Sequence, residues 1–355
     1  MPNFSRRAWA AGALALLVPL AACSTSTDAA QAGGDDQPVI LTTFTVLADM
    51  AENVAGDHLR VESITKVGAE IHGYEPTPGD LRRAAEADLV LDNGLGLEAW
   101  FERFVDDLDV PHAVVSEGVE TIPLGDDTAE EYRGTANPHA WMSPLNGQRY
   151  VENMAAAFAE LDPAHADDYA ANAADYAAEL GTLHDELTAA LDTLPDDHRA
   201  LVTCEGAFSY LARDAGLTEQ YLWAVNAERQ ATPQQVARTI ELVDDADVPA
   251  VFCESTVSDE AMQKVVSATG AAFGGTLYVD SLSEADGPVP TYLDLLRHDV
   301  DTIVAGLTGA APEDEADDRP RDRRPRPHRP LRRGARARRH HPRPRARAPC
   351  AGSWA

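Results

Sequence analysis

Two runs of alternating strand-like and helix-like segments, set either side of a 51-residue stretch of helical composition, constrain this chain more than any other feature. Before the stretch, β-branched or apolar runs at 39–45, 59–65, 89–92 and 112–115 alternate with helical spacing at 46–56, 77–87 and 97–108. After it, strand patterns at 200–203, 221–225, 250–253 and 276–279 alternate with helical ones at 205–215, 233–245, 258–269 and 290–307. Such alternation demands parallel strands with helices packed on both faces. Thr77-Pro78 and Thr232-Pro233 supply an N-cap and a first-turn proline to two of the helices. The middle stretch, 144–194, is rich in Ala, Glu, Asp and Leu, and Asp162-Pro163 is able to restart a helix there. Its last 32 residues, 163–194, would span about 45–50 Å as one helix. The expected fold is therefore α/β in two lobes, 39–143 and 195–309. Each lobe is a four-stranded parallel sheet flanked by helices, and one long rigid helix within 144–194 connects them.

The two ends of the chain differ from this body. Arg6 and Arg7 precede an uncharged apolar run, 8–22, which is short for a membrane span and suits a signal-peptide core. It ends in LAAC, residues 20–23, which resembles a lipobox and makes Cys23 the expected lipidated residue. The arginine pair fits a twin-arginine signal as well as a general one. Residues 24–38 are polar and rich in Gly, Ala and Asp, as a tether would be. A chain so addressed is expected on the outer face of a cytoplasmic membrane. At the other end, residues 319–355 carry 14 arginines, 7 prolines and a single acid. The 310–355 segment is expected to be disordered, because it has too little apolar surface to offset its ordering entropy. A basic arm toward anionic lipid and a shifted reading frame in GC-rich DNA both fit it. The 318 residues before Arg319 hold 15 basic and 58 acidic residues, a net of −43 with only Lys66 and Lys264 as lysines. So acidic a body repels phosphate backbones, which excludes nucleic acid as a partner.

Ligands in open α/β sheets bind beyond the carboxyl ends of the strands. His72, His139, Glu205 and Asp280 fall at such ends, separated by 67, 66 and 75 residues. Two imidazoles and two carboxylates suit Mn²⁺, Fe²⁺ or Zn²⁺ better than cations that prefer all-oxygen shells. Both imidazoles must be neutral to ligate, which predicts weaker binding below about pH 6. His58, His112, His165, His184, His198 and His298 read as ordinary surface or core histidines.

Local sequence distinguishes the four. Residues 71–80, IHGYEPTPGD, and 137–144, NPHAWMSP, resemble two motifs of the metal-binding solute-binding proteins of ABC transporters. Residues 205–212, EGAFSYLA, and 279–282, VDSL, resemble two more, in the same order. The resemblance extends from residue 39 to about 309. It implies a lipid-anchored, monomeric, non-enzymatic carrier that hands its metal to a membrane permease driven by a partner ATPase. Glu205 stands where zinc-type members usually have a histidine, and WAVNAE at 223–228 also resembles the manganese and iron branch. Mn²⁺ is accordingly the first expectation, with Fe²⁺ or Zn²⁺ as alternatives. Ala69-Glu70-Ile71 departs from the small residue, Asp and Pro usual before the first histidine.

A metal-dependent hydrolase outside the membrane is the main rival, since such ligand sets also activate water. The chain has no HExxH, HxHxD or GxSxG motif to support it. A surface adhesin or receptor is a third reading. Cys204 and Cys253 end two strands that are neighbours if the order is 2-1-3-4. A disulfide, two buried thiols and soft-metal ligation all fit that pair.

Overall fold

The computed structural model describes residues 37–309, apart from 106–108, 126–127, 129–131 and 226–230. Cys23, the 310–355 segment and the Asn226–Glu228 part of the WAVNAE motif lie outside the described residues.

The N-terminal lobe is a four-stranded parallel sheet in the order β2-β1-β3-β4. Its strands are β1 (Val39–Thr42), β2 (Arg60–Ser63), β3 (Leu89–Asp92) and β4 (His112–Val114). Ile40 pairs with Val61 on one side and Leu89 on the other. Helices α1 (Thr45–Ala55), α2 (Pro78–Glu86) and α3 (Ala99–Val105) connect the strands. α2 starts where the sequence marks it: Thr77 and Asp80 form a reciprocal capping box with Pro78 in the first turn.

The 144–194 stretch is two helices, not one rod. α4 (Pro144–Leu161) ends at Asp162, and α5 (Ala166–Leu191) follows a single tight turn. The cause is Pro163, which lacks an N–H and disfavours helical geometry in the residue before it. Asp162 sits at φ −130°, ψ 78°, and its carboxylate accepts from His165 Nδ1 at 2.6 Å and Tyr169 Oη at 2.8 Å. α4 folds back along α5, with Gln148 Nε2 donating to the Ala177 carbonyl at 2.9 Å. The long connecting helix is thus α5 alone, 26 residues and about 39 Å.

The C-terminal lobe holds β5 (Ala200–Glu205), β6 (Thr218–Trp223), β7 (Ala250–Glu254) and β8 (Ala272–Leu277). Around them lie α6 (Ser209–Ala215), α7 (Pro233–Asp245), α8 (Glu260–Ala268) and the closing α9 (Tyr292–Thr308). The strands form two parallel pairs, β5–β6 and β7–β8, rather than one four-stranded ladder. β5 and β7 are joined instead by side chains. Cys204 and Cys253 form a disulfide across them with Cα atoms 4.8 Å apart. The Glu205 N–H, which a ladder would use, donates to Glu254 Oε2 at 3.1 Å.

Strand alternation sorts the side chains into cores. On β5 and β7, Leu201, Ala250 and Phe252 enter the large core shared by both lobes. Val202, Cys204, Val251 and Cys253 point the other way, into a separate core with Met262 and Val265. The shared core runs from Phe44 and Met50 through Trp141, Tyr150 and Leu180 to Phe208 and Tyr292. Gly147 on α4 permits close approach there, since a Cβ would stand 2.9 Å from Tyr292 Oη.

Candidate metal centre

His72, His139, Glu205 and Asp280 converge, each offering a ligand atom within 4.8 Å of those of the others. The two Nε2 atoms are 3.0 Å apart, and Glu205 Oε1 lies 3.3 Å from His72 Nε2 and 3.8 Å from His139 Nε2. His139, Glu205 and Asp280 are buried, and the His72 side chain is 8% exposed. Among the described residues, this is the cluster of His, Cys, Asp or Glu side chains able to hold one ion.

Each side chain of the cluster is aimed by its own element. The departure at Glu70 proves useful: its carboxylate accepts the backbone N–H of His72 at 2.7 Å and of Gly73 at 2.9 Å, closing the loop around the histidine. Trp100 Nε1 holds the same loop through the Ile71 carbonyl at 2.8 Å. His139 begins a short 3₁₀ turn, Ala140–Met142, and its Nδ1 contacts Asn137 Oδ1 at 2.8 Å. Asn137 Nδ2 already donates to the Gly206 carbonyl and Ser209 Oγ, so its Oδ1 is the acceptor for His139 Nδ1–H. That leaves the His139 Nε2 lone pair for a metal. Glu205 is the last residue of β5, with its N–H held by Glu254. Asp280 follows β8, and Thr256 Oγ1 donates to its Oδ2 at 3.1 Å.

Burial sets the protonation states. It pushes His72 down to about 4, and His139 well below its ordinary value with added repulsion from His72. Both imidazoles are therefore neutral at physiological pH. Burial raises Asp280 to about 7, helped by the negative charge of Glu70. Asp280 Oδ1 is buried with no hydrogen-bond partner among the described residues. Neutral imidazole nitrogens facing buried carboxylate oxygens are an arrangement that a divalent cation satisfies. A cavity of about 240 Å³, lined by Leu95, Leu97, Leu124, Tyr132 and Val225 among others, reaches His72.

The histidines read as ordinary behave so where they have partners. His58 pairs with Asp168, His112 with Asp92 and His165 with Asp162. Residue-by-residue reading missed Asn137, Thr256 and Glu254 as supports. For Glu254 a signal existed: Cys-Glu closes β5 and closes β7.

Comparison with known proteins agrees with this geometry. Residues 40–306 match the family described as zinc-uptake complex component A, periplasmic. The iron-binding protein YfeA of Yersinia pestis is 50% identical over 269 residues, 76% of this chain and 86% of that one. The manganese-binding lipoprotein MntA of Halalkalibacterium halodurans is 35% identical, over 76% of this chain and 88% of that one. The Mn-bound periplasmic metal-binding protein from Candidatus Liberibacter asiaticus superposes with a TM-score of 0.71 at 35% identity, covering 76% of this chain and all of that one. With three quarters of its length matched in sequence and in fold, the chain belongs to the family of the periplasmic zinc-uptake component A, the solute-binding proteins of metal ABC transporters.

Proposed function

We propose that this protein captures a divalent transition metal outside the cytoplasmic membrane and delivers it to an ABC permease for import. His72, His139, Glu205 and Asp280 are the ligands. The observation that carries the reading is the convergence of these four side chains, one from each half-lobe, on one buried point. Four protein ligands enclose an ion and leave little room for a reacting water, so the site carries metal rather than performing hydrolysis.

Mn²⁺ is the proposed cargo, with Fe²⁺ next and Zn²⁺ third. The Glu205 carboxylate hardens the site relative to a third imidazole, and the relatives above are named for iron and manganese. Intrinsic affinity for Zn²⁺ exceeds that for Mn²⁺ at any such site, so cargo choice follows from geometry and from which complex the permease opens. Cys23 is proposed as the lipid anchor, and the carrier as a monomer. The test is elemental analysis of protein purified from its native membrane, with metal-dependent growth of a deletion strain. Protein that carries no stoichiometric transition metal, and a strain indifferent to Mn²⁺, Fe²⁺ and Zn²⁺, would refute the reading.

A further inference from the structure

Glu205 is the one proposed ligand that belongs to a strand: it ends β5, which is laddered to β6 on one side, with Glu205 opposite Trp223, but not to β7 on the other. β5 and β7 meet side by side, yet they belong to separate hydrogen-bonded pairs. Two links close the seam at the metal end. One is the Cys204–Cys253 disulfide. The other is the bond from the Glu205 N–H to Glu254 Oε2. Each cysteine immediately precedes one partner of that bond. The disulfide therefore lies one residue behind the ligand on one strand and one residue behind its support on the other.

Alternation keeps the sulfurs off the metal. Cys204 and Cys253 are buried in the outer core with Val202, Val251, Met262 and Val265, on the face opposite the side chains of Leu201 and Phe252. Any influence on the ion must pass along the backbone.

We propose that the Cys204–Cys253 disulfide is a positioning element for Glu205, so that tight metal capture requires the oxidised protein. Reduction by a dithiol breaks the S–S bond, adds two electrons and two protons to give two thiols, and turns the dithiol into its own disulfide. β5 and β7 can then part at the seam, and Glu205 loses its fixed distance from His72 and His139. Outer groups that orient a metal ligand typically contribute about 10–100-fold in affinity, so a loss of about tenfold is expected. A carrier built this way is competent in an oxidising compartment and slack in a reducing one.

This inference rests on the proposed metal-carrying function, and the test separates the two. Purified full-length chain is compared oxidised, reduced with dithiothreitol, and reoxidised with oxidised glutathione, with thiol alkylation mapped to Cys204 and Cys253. Mn²⁺ affinity is measured by competition titration, and fold by far-UV circular dichroism. The expected result is about tenfold weaker binding in the reduced, folded protein and recovery on reoxidation. A Cys204→Ala/Cys253→Ala variant should show the same loss without any reductant. In a Glu205→Ala background, redox state should make no further difference, because the coupled ligand is gone. Equal affinity in both redox states overturns the proposal, as does an undiminished redox effect in the Glu205→Ala background. If the reduced protein and the double variant both unfold, the bond is a structural staple and the proposal fails. Oxidised wild-type protein that binds neither Mn²⁺ nor Zn²⁺ refutes the metal-carrying function itself and this inference with it.

Discussion

Trp141 Nε1 donates to the main-chain carbonyl of Val279 at 3.2 Å, tying the residue two beyond His139 to the residue just before Asp280. The bond crosses between lobes, and it is one of several. Asn137 Nδ2 reaches the Gly206 carbonyl at 2.7 Å, and Tyr210 Oη donates to the Asn137 carbonyl at 2.7 Å. On the far side of the site, the Gly68 N–H donates to Ser281 Oγ at 2.7 Å, and the Leu282 N–H to Thr45 Oγ1 at 3.0 Å. Every proposed ligand thus lies within three residues of a cross-lobe bond or, for His72, four.

The ligand set gives the first prediction. Replacing His72, His139, Glu205 or Asp280 with Ala should each lower affinity for Mn²⁺ and Zn²⁺ by at least about tenfold in competition titrations. His165→Ala should leave it unchanged, since that ring belongs to the Asp162 turn. Unaltered binding by Glu205→Ala would remove the main support for a manganese or iron cargo.

The pH dependence has a different origin from the protonation of His72 and His139 below about pH 6 that the sequence predicts. Burial keeps His72 neutral down to about pH 4, so the imidazoles offer little competition above it. Asp280, raised to about 7 by burial and by Glu70, holds a proton in the metal-free site and must release it to ligate. Mn²⁺ affinity should fall about tenfold per pH unit below 7 and level off above it. The sign reverses for the metal-free fold. A carboxyl raised in the folded state adds stability at low pH that is lost as pH rises from about 4 through 7. Asp280→Asn should therefore raise the melting temperature of metal-free protein at pH 7. A flat affinity profile between pH 5 and 7 would contradict the assignment.

Tyr292 tests the brace behind the strap that carries His139. Its hydroxyl donates to the buried carbonyl of Trp141, and its N–H donates to Asp49 Oδ2 at 3.0 Å. Tyr292→Phe strands the Trp141 carbonyl and should cost about 1–3 kcal/mol in urea unfolding. Metal affinity should fall as well if the brace sets the His139 strap, and a stability loss alone would confine Tyr292 to the core.

The cross-lobe bonds and the shared core limit how far the lobes separate. X-ray scattering curves of metal-free and Mn²⁺-bound protein should nearly overlay, with changes confined to the ligand loops and a slight tilt. A large change in radius of gyration would show that α5 and the core it crosses yield as a hinge.

Much of this was written in local sequence. Strand and helix alternation follows from period-two and helical spacing, which short segments carry by themselves, and Thr77-Pro78 placed the start of α2 within a residue. The four clustered side chains were legible because each sits in a motif that shapes its own loop. Asp162-Pro163 marked a break, but whether the chain beyond it continued straight or doubled back depended on packing: α4 folds onto α5 because its apolar face finds Tyr169, Tyr176 and Leu180 there. The pairing of Cys204 with Cys253 was open among three readings, because proximity of residues 49 apart is decided by how β5 and β7 meet. The charge states were also out of reach. A histidine or an aspartate has an ordinary titration until the fold removes water from it, and only the closed core around His72, His139 and Asp280 makes the imidazoles neutral and the carboxyl reluctant to ionise.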